Sequence, residues 1–173
     1  MYLFLLENMI AQKKGKMNRF KAKKEYKNMY YGCGKKIRAV SGEYPGIGCP
    51  DDLYRALLGA WSADTCAPRM RKDWSEQNPT LGQCSITAFL VQDIFGGKVF
   101  GVPLEDGNYH CYNCVDGEVF DLTSEQFPYA LDYSGNPEQF RDVHFAKEEK
   151  RHRYETLRIK LKAVLAGEKY TLE

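Results

Sequence analysis

The chain has 173 residues, of which 43% are hydrophobic and six are cysteines. This length provides one hydrophobic core and falls short of two well-formed domains. No stretch approaches the roughly 18 consecutive apolar residues of a membrane span, and the N-terminal basic residues follow the short apolar run instead of preceding it, unlike a secretory signal. We therefore expect one cytoplasmic domain whose cysteines are mostly free thiols.

Charge is distributed unevenly along the chain. Residues 1–38 contain eleven Lys or Arg against two Glu, whereas the remainder contains fourteen basic and twenty-one acidic residues. A basic segment with few apolar side chains is typical of a solvated helix or a flexible arm. We predict a basic leader over residues 1–48, partly helical or flexible, and a folded domain over residues 49–173. Since the folded part is acidic, we expect no nucleic-acid partner.

Two helices are predicted in the first half of the domain. Pro50 followed by two aspartates is typical of a helical first turn, which predicts a helix over residues 50–61. After a loop that contains Pro79 and Gly82, residues 84–95 read as an apolar helix that ends at two glycines. Because this second helix is apolar on most sides, we expect it to be the central buried helix.

The second half predicts a small antiparallel sheet and a final helix. Residues 98–102, 109–115 and 118–122 read as strands, and Asp116-Gly117 is a strong signal for a two-residue hairpin turn. This turn pairs Tyr112 with Asp121. Residues 147–166 then form an amphipathic helix with four apolar side chains along one side: Tyr154, Leu157, Leu161 and Val164.

Cys84, His110 and Asp121 are candidates for a nucleophile, its base and the residue that orients the base. Cys84 begins the apolar helix, and a helix N-terminus favours a thiolate and offers free backbone amides to an oxyanion. In the predicted hairpin register, His110 and Asp121 share a face as diagonal neighbours, which lets the carboxylate fix the imidazole. The alternative for this pair is a surface His beside a surface Asp.

A set of residues and short motifs along the chain carries a resemblance to a known family: Trp74, Asn78-Pro79, Gly82-Gln83-Cys84, Gln92-Asp93, Gly96-Gly97, His110, Asn113, Asp121-Leu122-Thr123, Gln126-Phe127 and Arg153-Tyr154. Over about residues 50–166 these motifs resemble those of the bacterial YunG-like family. The resemblance implies a papain-like α+β fold, in which the helix carrying Cys84 packs on an antiparallel sheet between flanking helices. It also implies Cys, His and Asp in this chain order, as in transglutaminase-like and related hydrolases.

Other polar and aromatic residues near these motifs are weaker candidates. Gln83 or Asn78 could donate a hydrogen bond to an oxyanion, or could serve the loop backbone instead. Trp74 could line a substrate groove or pack at its rim. Asn113 alternates to the face opposite His110 and is predicted to be structural, while His144 and His152 are predicted to be exposed.

The hypothesis from the sequence is a thiol-dependent hydrolase or acyltransferase that acts on an amide or other acyl bond of a peptide or small acyl substrate. It requires no cofactor and no metal. Two alternatives remain open. One is a papain-like binding module without catalytic activity, and the other is a zinc-binding interaction domain that uses Cys111 and Cys114 with Cys33, Cys49 or Cys66.

Overall fold

The computed structural model of the chain describes residues 29–167, and the part of the predicted leader before residue 29 lies outside them. The described part is α+β, with four α-helices and a three-stranded sheet. The elements are α1 (Pro50–Leu57), α2 (Cys84–Phe95), β1 (Lys98–Pro103), β2 (Tyr109–Val115), β3 (Glu118–Phe120), α3 (Arg141–Phe145) and α4 (Glu148–Leu165).

Helix α2 is the centre of the fold. Its bounds are those predicted from the sequence, and nine of its twelve residues are buried. The helix ends where Gly96 and Gly97 both adopt positive φ. A Cβ atom on Gly97 would lie 2.3 Å from the carbonyl oxygen of Cys114, so the chain turns from α2 into β1 at a point where only glycine fits.

The sheet has the order β1-β2-β3 and is antiparallel throughout. Asp116 and Gly117 both have positive φ, as a two-residue turn of type I′ requires. Val115 therefore faces Glu118, and the predicted hairpin register is confirmed. Strand β3 ends earlier than predicted, because the backbone N–H of Asp121 donates to the carbonyl of Tyr31, 2.9 Å away.

The remaining helices flank this centre. Helix α1 is shorter than predicted, and the chain after Leu57 runs through turns to Trp61, whose indole donates to Thr87 of α2 at 3.0 Å. Helix α4 buries Leu157 and Leu161 completely. The short helix α3 had no signal in the sequence and lies directly before α4.

Residues 29–48 form no helix or strand of their own but contribute to the core. The buried side chains of this segment are Tyr30, Ile37, Tyr44 and Ile47. The family-like part of the sequence and this segment therefore share one hydrophobic cluster. None of the helices among residues 29–167 combines the length and apolar character that a membrane crossing requires.

Candidate active site

Cys84 is the first residue of α2, and its side chain is partly exposed. The loop before it is held in place by Gly82, whose φ of +68° and close approach to Cys66 leave no room for a Cβ atom. The carbonyl of Gly82 accepts a hydrogen bond from the amide of Ala67 at 3.0 Å. These contacts fix the Cys84 thiol at a helix N-terminus, where the first-turn amides have no acceptor within the helix.

His110 and Asp121 meet in the interior. His110 Nε2 lies 2.5 Å from Asp121 Oδ2, and both side chains are about 1% exposed. The edge of the His110 ring also packs on the ring of Phe127, with centroids 4.7 Å apart. The diagonal pairing predicted from the hairpin is thus present in the structure.

Asp121 is surrounded by hydrogen-bond donors. Its Oδ1 accepts from the backbone N–H of Thr123 at 2.9 Å and from the Thr123 hydroxyl at 3.0 Å. Its Oδ2 accepts from the Tyr133 hydroxyl at 2.9 Å in addition to His110. Together these groups match the acceptor capacity of an ionised carboxylate and fix its orientation toward the imidazole.

The second nitrogen of His110 points away from Asp121. Nδ1 is buried and makes no hydrogen bond of ordinary geometry with any described residue. The thiol of Cys84 is nevertheless close enough to interact with the ring. Because Asp121 occupies Nε2, Nδ1 is the nitrogen left to receive a proton from the thiol.

The electrostatics of the pair favour charge separation. Burial alone raises the pKa of Cys84, but contact with His110, the charge of its ring and the backbone N–H of Cys111 together lower it below the ordinary thiol value. Burial alone lowers the pKa of His110, but the charge and hydrogen bond of Asp121, with the contact to Cys84, raise it to about 10. Both pKa values are therefore shifted in the direction that favours a thiolate beside an imidazolium.

Cys84 and His110 both line a cavity of about 640 Å³. Its walls come from the loop around Arg69, the loop that includes Asp106, Phe127 after the hairpin, and the start of α4. The cavity gives a small molecule or an extended side chain access to the thiol.

Gln83, Asn78 and Trp74 do not line this cavity. The Gln83 side chain is fully buried, and its Nε2 donates to the carbonyl of Ser62 at 3.1 Å. Trp74 is half-buried and donates to the carbonyl of Pro79 at 3.1 Å, in the same turn that contains Asn78. The structure thus places these three residues in the scaffold of the loop that precedes Cys84.

Asn113 lies on the side of β2 that faces α2, where its Nδ2 donates to the carbonyl of Ala88 at 2.8 Å. Its predicted structural role fits this contact. Cys111 on the same strand is buried, and Cys114 is half-buried. Among residues 29–167, no group of three His, Cys, Asp or Glu side chains converges in an arrangement that could hold a metal ion.

The prediction that His144 is exposed is wrong. His144 is 8% exposed because α3 places its ring against Phe89 of α2, with centroids 5.1 Å apart. The prediction for His152 is confirmed, since it is exposed on α4. The spacing of apolar residues gave no signal for α3, so only the tertiary packing reveals that His144 belongs to the cavity wall.

Sequence reasoning also missed residues that support the site. Thr123 could have been found from the sequence. An aspartate commonly forms a turn in which its carboxylate accepts a hydrogen bond from the backbone N–H two residues later, and Thr123 is two residues after Asp121. Tyr133 and Lys150 carry no such local signal. They reach the site through the fold, from the connection after β3 and from α4 respectively.

Comparison with known proteins identifies the family. The model of a family described as YunG protein matches residues 49–166. The protein of Bacillus subtilis (strain 168) named Uncharacterized protein YunG is 35% identical over 81 residues, which cover 47% of this chain and 70% of that protein. No solved structure matches the chain significantly. The resemblance noted in the sequence is confirmed at the level of the family: the chain belongs to the YunG family.

Proposed function

We propose that the chain is a thiol-dependent hydrolase or acyltransferase with a papain-like active site. Cys84 is the nucleophile, His110 is the general acid and base, and Asp121 orients the imidazole. The observation that carries this proposal is the buried His110 ring, whose Nε2 is 2.5 Å from Asp121 Oδ2. Its Nδ1 has no hydrogen-bond partner of ordinary geometry among residues 29–167, and the Cys84 thiol is close enough to interact with the ring. A His–Asp pair with only a structural role does not require a thiol next to the second nitrogen of the imidazole.

The reaction would begin with attack of the Cys84 thiolate on the carbonyl carbon of an amide or other acyl bond. As the S–C bond forms, the carbonyl π electrons move onto oxygen, and first-turn amides of α2 are positioned to stabilise the oxyanion. Collapse of this intermediate expels the leaving group, which takes the proton from His110. The thioester is then resolved by water or an amine, which gives a proton to His110 and releases Cys84.

The papain-like arrangement is supported by the order and placement of the three residues. The nucleophile begins the buried helix α2, the base lies on β2 of the antiparallel sheet, and the third residue directly follows β3. These are the features that the family resemblance implied. Access through one cavity to both Cys84 and His110 agrees with a peptide or small acyl substrate.

The test is the pH dependence of Cys84 alkylation by iodoacetamide, followed by mass spectrometry of the labelled peptide. Because His110 lowers the pKa of Cys84, the alkylation rate should rise to a plateau with a midpoint well below about 8.5, the value of a free thiol. The variant His110→Ala should move the midpoint back toward that value. Cys114→Ala, which removes a half-buried thiol outside the cavity, is the matched control and should leave the profile unchanged.

Turnover would be sought with a library of acyl probes, each screened for a covalent adduct at Cys84. Hydrolysis should fall on the alkaline side near pH 10, where His110 loses the proton that the leaving group needs. An ordinary thiol profile together with no adduct on Cys84 would overturn the proposal and favour a binding module that uses the same cavity.

A further inference from the structure

Beyond Cys84 and His110, basic side chains outnumber acidic ones in the lining of the cavity. Four residues are Lys or Arg, and two are Asp or Glu. Both carboxylates are engaged, because Asp106 pairs with Arg69 at 3.3 Å and Glu149 pairs with Arg153 at 2.8 Å. Lys147 directly precedes α4, and Lys150 lies in its first turn. Neither lysine has a carboxylate within salt-bridge distance in the part of the chain that the structure describes.

Lys150 is held in place by a chain of polar contacts. Its Nζ lies 3.2 Å from His144 Nδ1, and His144 Nε2 lies 3.1 Å from Gln139 Oε1. Gln139 is fixed in turn, since its backbone N–H donates to the carbonyl of Val99 at 2.8 Å. Burial and the charges of Lys150 and Lys147 lower the pKa of His144 to about 4, so its neutral ring accepts from the ammonium and donates to Gln139.

Lys150 is also close to the nucleophile. Burial is the main effect that lowers its pKa, and the charge of Lys147 adds to it, whereas the thiols of Cys111 and Cys84 and the carboxylate of Glu149 oppose that shift. An ammonium in the first turn of a helix is unfavourable with respect to the helix dipole, and partial desolvation adds to the cost. A negatively charged group that entered the cavity and bound Lys150 would reduce both costs.

We propose that Lys150 binds a carboxylate of the substrate, so that Cys84 acts on acyl groups that carry a negative charge close to the carbonyl under attack. This inference rests on the proposed function of Cys84 and specifies its substrate class. Lys150 is then a residue that determines specificity, and His144 with Gln139 positions it. The cavity offers the anion a cation of fixed position, and the two carboxylates in its wall are each paired with an arginine.

A different role for Lys150 would be to stabilise the Cys84 thiolate alone. The two roles are separable, because a thiolate-stabilising charge changes the thiol pKa and affects every electrophile alike. A charge that binds the substrate anion changes the preference between an anionic and a neutral electrophile. Iodoacetate and iodoacetamide are such a matched pair, since each reacts by the same step, in which the thiolate displaces iodide and forms one S–C bond.

The experiment compares alkylation rate constants of Cys84 with the two reagents on the pH plateau, where the thiolate is fully formed. Lys150→Gln should slow iodoacetate about tenfold while iodoacetamide changes by less than about twofold. Lys150→Arg should keep the preference for iodoacetate. Arg151→Gln removes the same charge from an exposed position of α4 outside the cavity and should leave the ratio unchanged.

The outcomes separate the inference from the proposed function. If Lys150→Gln lowers the alkylation rate constants for both reagents equally, or lowers neither, the proposed anion site is overturned. In that case a low pKa of Cys84 in the unsubstituted chain still supports the proposed hydrolase. An ordinary thiol pKa together with no acyl adduct on Cys84 overturns the proposed function, and the reagent ratio measured above that pKa still decides whether Lys150 binds an anion. Circular dichroism of each variant checks that it is folded. If Lys150→Gln is not folded, Lys150→Met, which also removes the charge, takes its place in the comparison.

Discussion

Asp121 shows how a single carboxylate can set the direction of an imidazole. Two of its four hydrogen bonds come from Thr123, one from Tyr133 and one from His110. The Thr123 contacts hold Oδ1, so Oδ2 keeps a fixed position from which it orients the ring. The proposed chemistry depends on this orientation, because only a ring whose Nε2 carries the proton can accept one at Nδ1.

The substitution Asp121→Asn tests this dependence. An amide can still accept from Thr123, but it presents an N–H to His110 Nε2, which then becomes an acceptor and leaves the proton on Nδ1. Loss of the negative charge also lowers the pKa of His110. The weaker imidazolium raises the pKa of Cys84, and this effect exceeds the smaller, opposite effect of removing the Asp121 charge itself. We expect turnover of an acyl probe to fall by about a hundredfold or more and the alkylation midpoint of Cys84 to move to higher pH.

Stopped-flow alkylation across pH measures this shift, with urea denaturation as the check on folding. Thr123→Ser, which keeps both donors to Oδ1, is the control and should leave the midpoint in place. An unshifted midpoint in folded Asp121→Asn would show that Asp121 has no influence on the thiol.

At the scale of elements, strand β2 serves both the site and the core. His110 and the amide of Cys111 act on Cys84, whereas Asn113, on the other face, ties the strand to the middle of α2. Because side chains alternate between the two faces of a β-strand, His110, which contacts Cys84, and Asn113, which supports the fold, lie on opposite faces of the seven-residue strand β2.

Asn113→Ala should therefore affect stability more than reactivity. The substitution leaves the buried carbonyl of Ala88 without its hydrogen-bond donor, which should lower the free energy of unfolding by about 1–3 kcal/mol. The alkylation midpoint of Cys84 should stay unchanged at a temperature where the variant is folded. Urea denaturation and alkylation of the same preparation measure both quantities, and a shifted midpoint with unchanged stability would assign Asn113 to the site.

At the scale of the whole molecule, the described fold is larger than the part that matches the family. The match begins at residue 49, yet residues 29–48 fill part of the core. In addition, the carbonyl of Tyr31 accepts a hydrogen bond from the backbone N–H of Asp121 beside the site. This segment therefore supports both the hydrophobic cluster and the position of the third residue of the proposed triad.

Substitutions within this segment measure its contribution. Ile37→Ala and Ile47→Ala each remove a side chain that is about 6–7% exposed, and each should lower the free energy of unfolding by about 2–5 kcal/mol. Val40→Ala is the matched control, because Val40 is 74% exposed and its loss should cost no more than about 0.5 kcal/mol. Equal effects of the three substitutions in urea denaturation would contradict the packing described for residues 29–48.

Local patterns in the sequence determined the elements that carry the site. The apolar run from Cys84 and its two closing glycines defined α2, and Asp116-Gly117 defined the hairpin and its register, because both signals depend only on neighbouring residues. The register was also enough to bring His110 and Asp121 together. The predictions that failed or fell short did so where the deciding contact is distant in sequence, as with the early end of β3 and the burial of His144.

Only the tertiary structure decided which side chains surround the thiol. Tyr133, His144 and Lys150 come from segments with polar or charged surroundings, and nothing in their own neighbourhoods distinguishes them from surface residues. Tyr133 is placed by its contacts with Asp121 and Tyr112. The placement of His144 and Lys150 follows from the packing of α3 and α4 against α2, which is set by the total apolar surface buried and not by any local period. The sequence by itself therefore determined the proposed nucleophile, base and orienting residue, while the fold determined the cavity and the position of Lys150 in its wall.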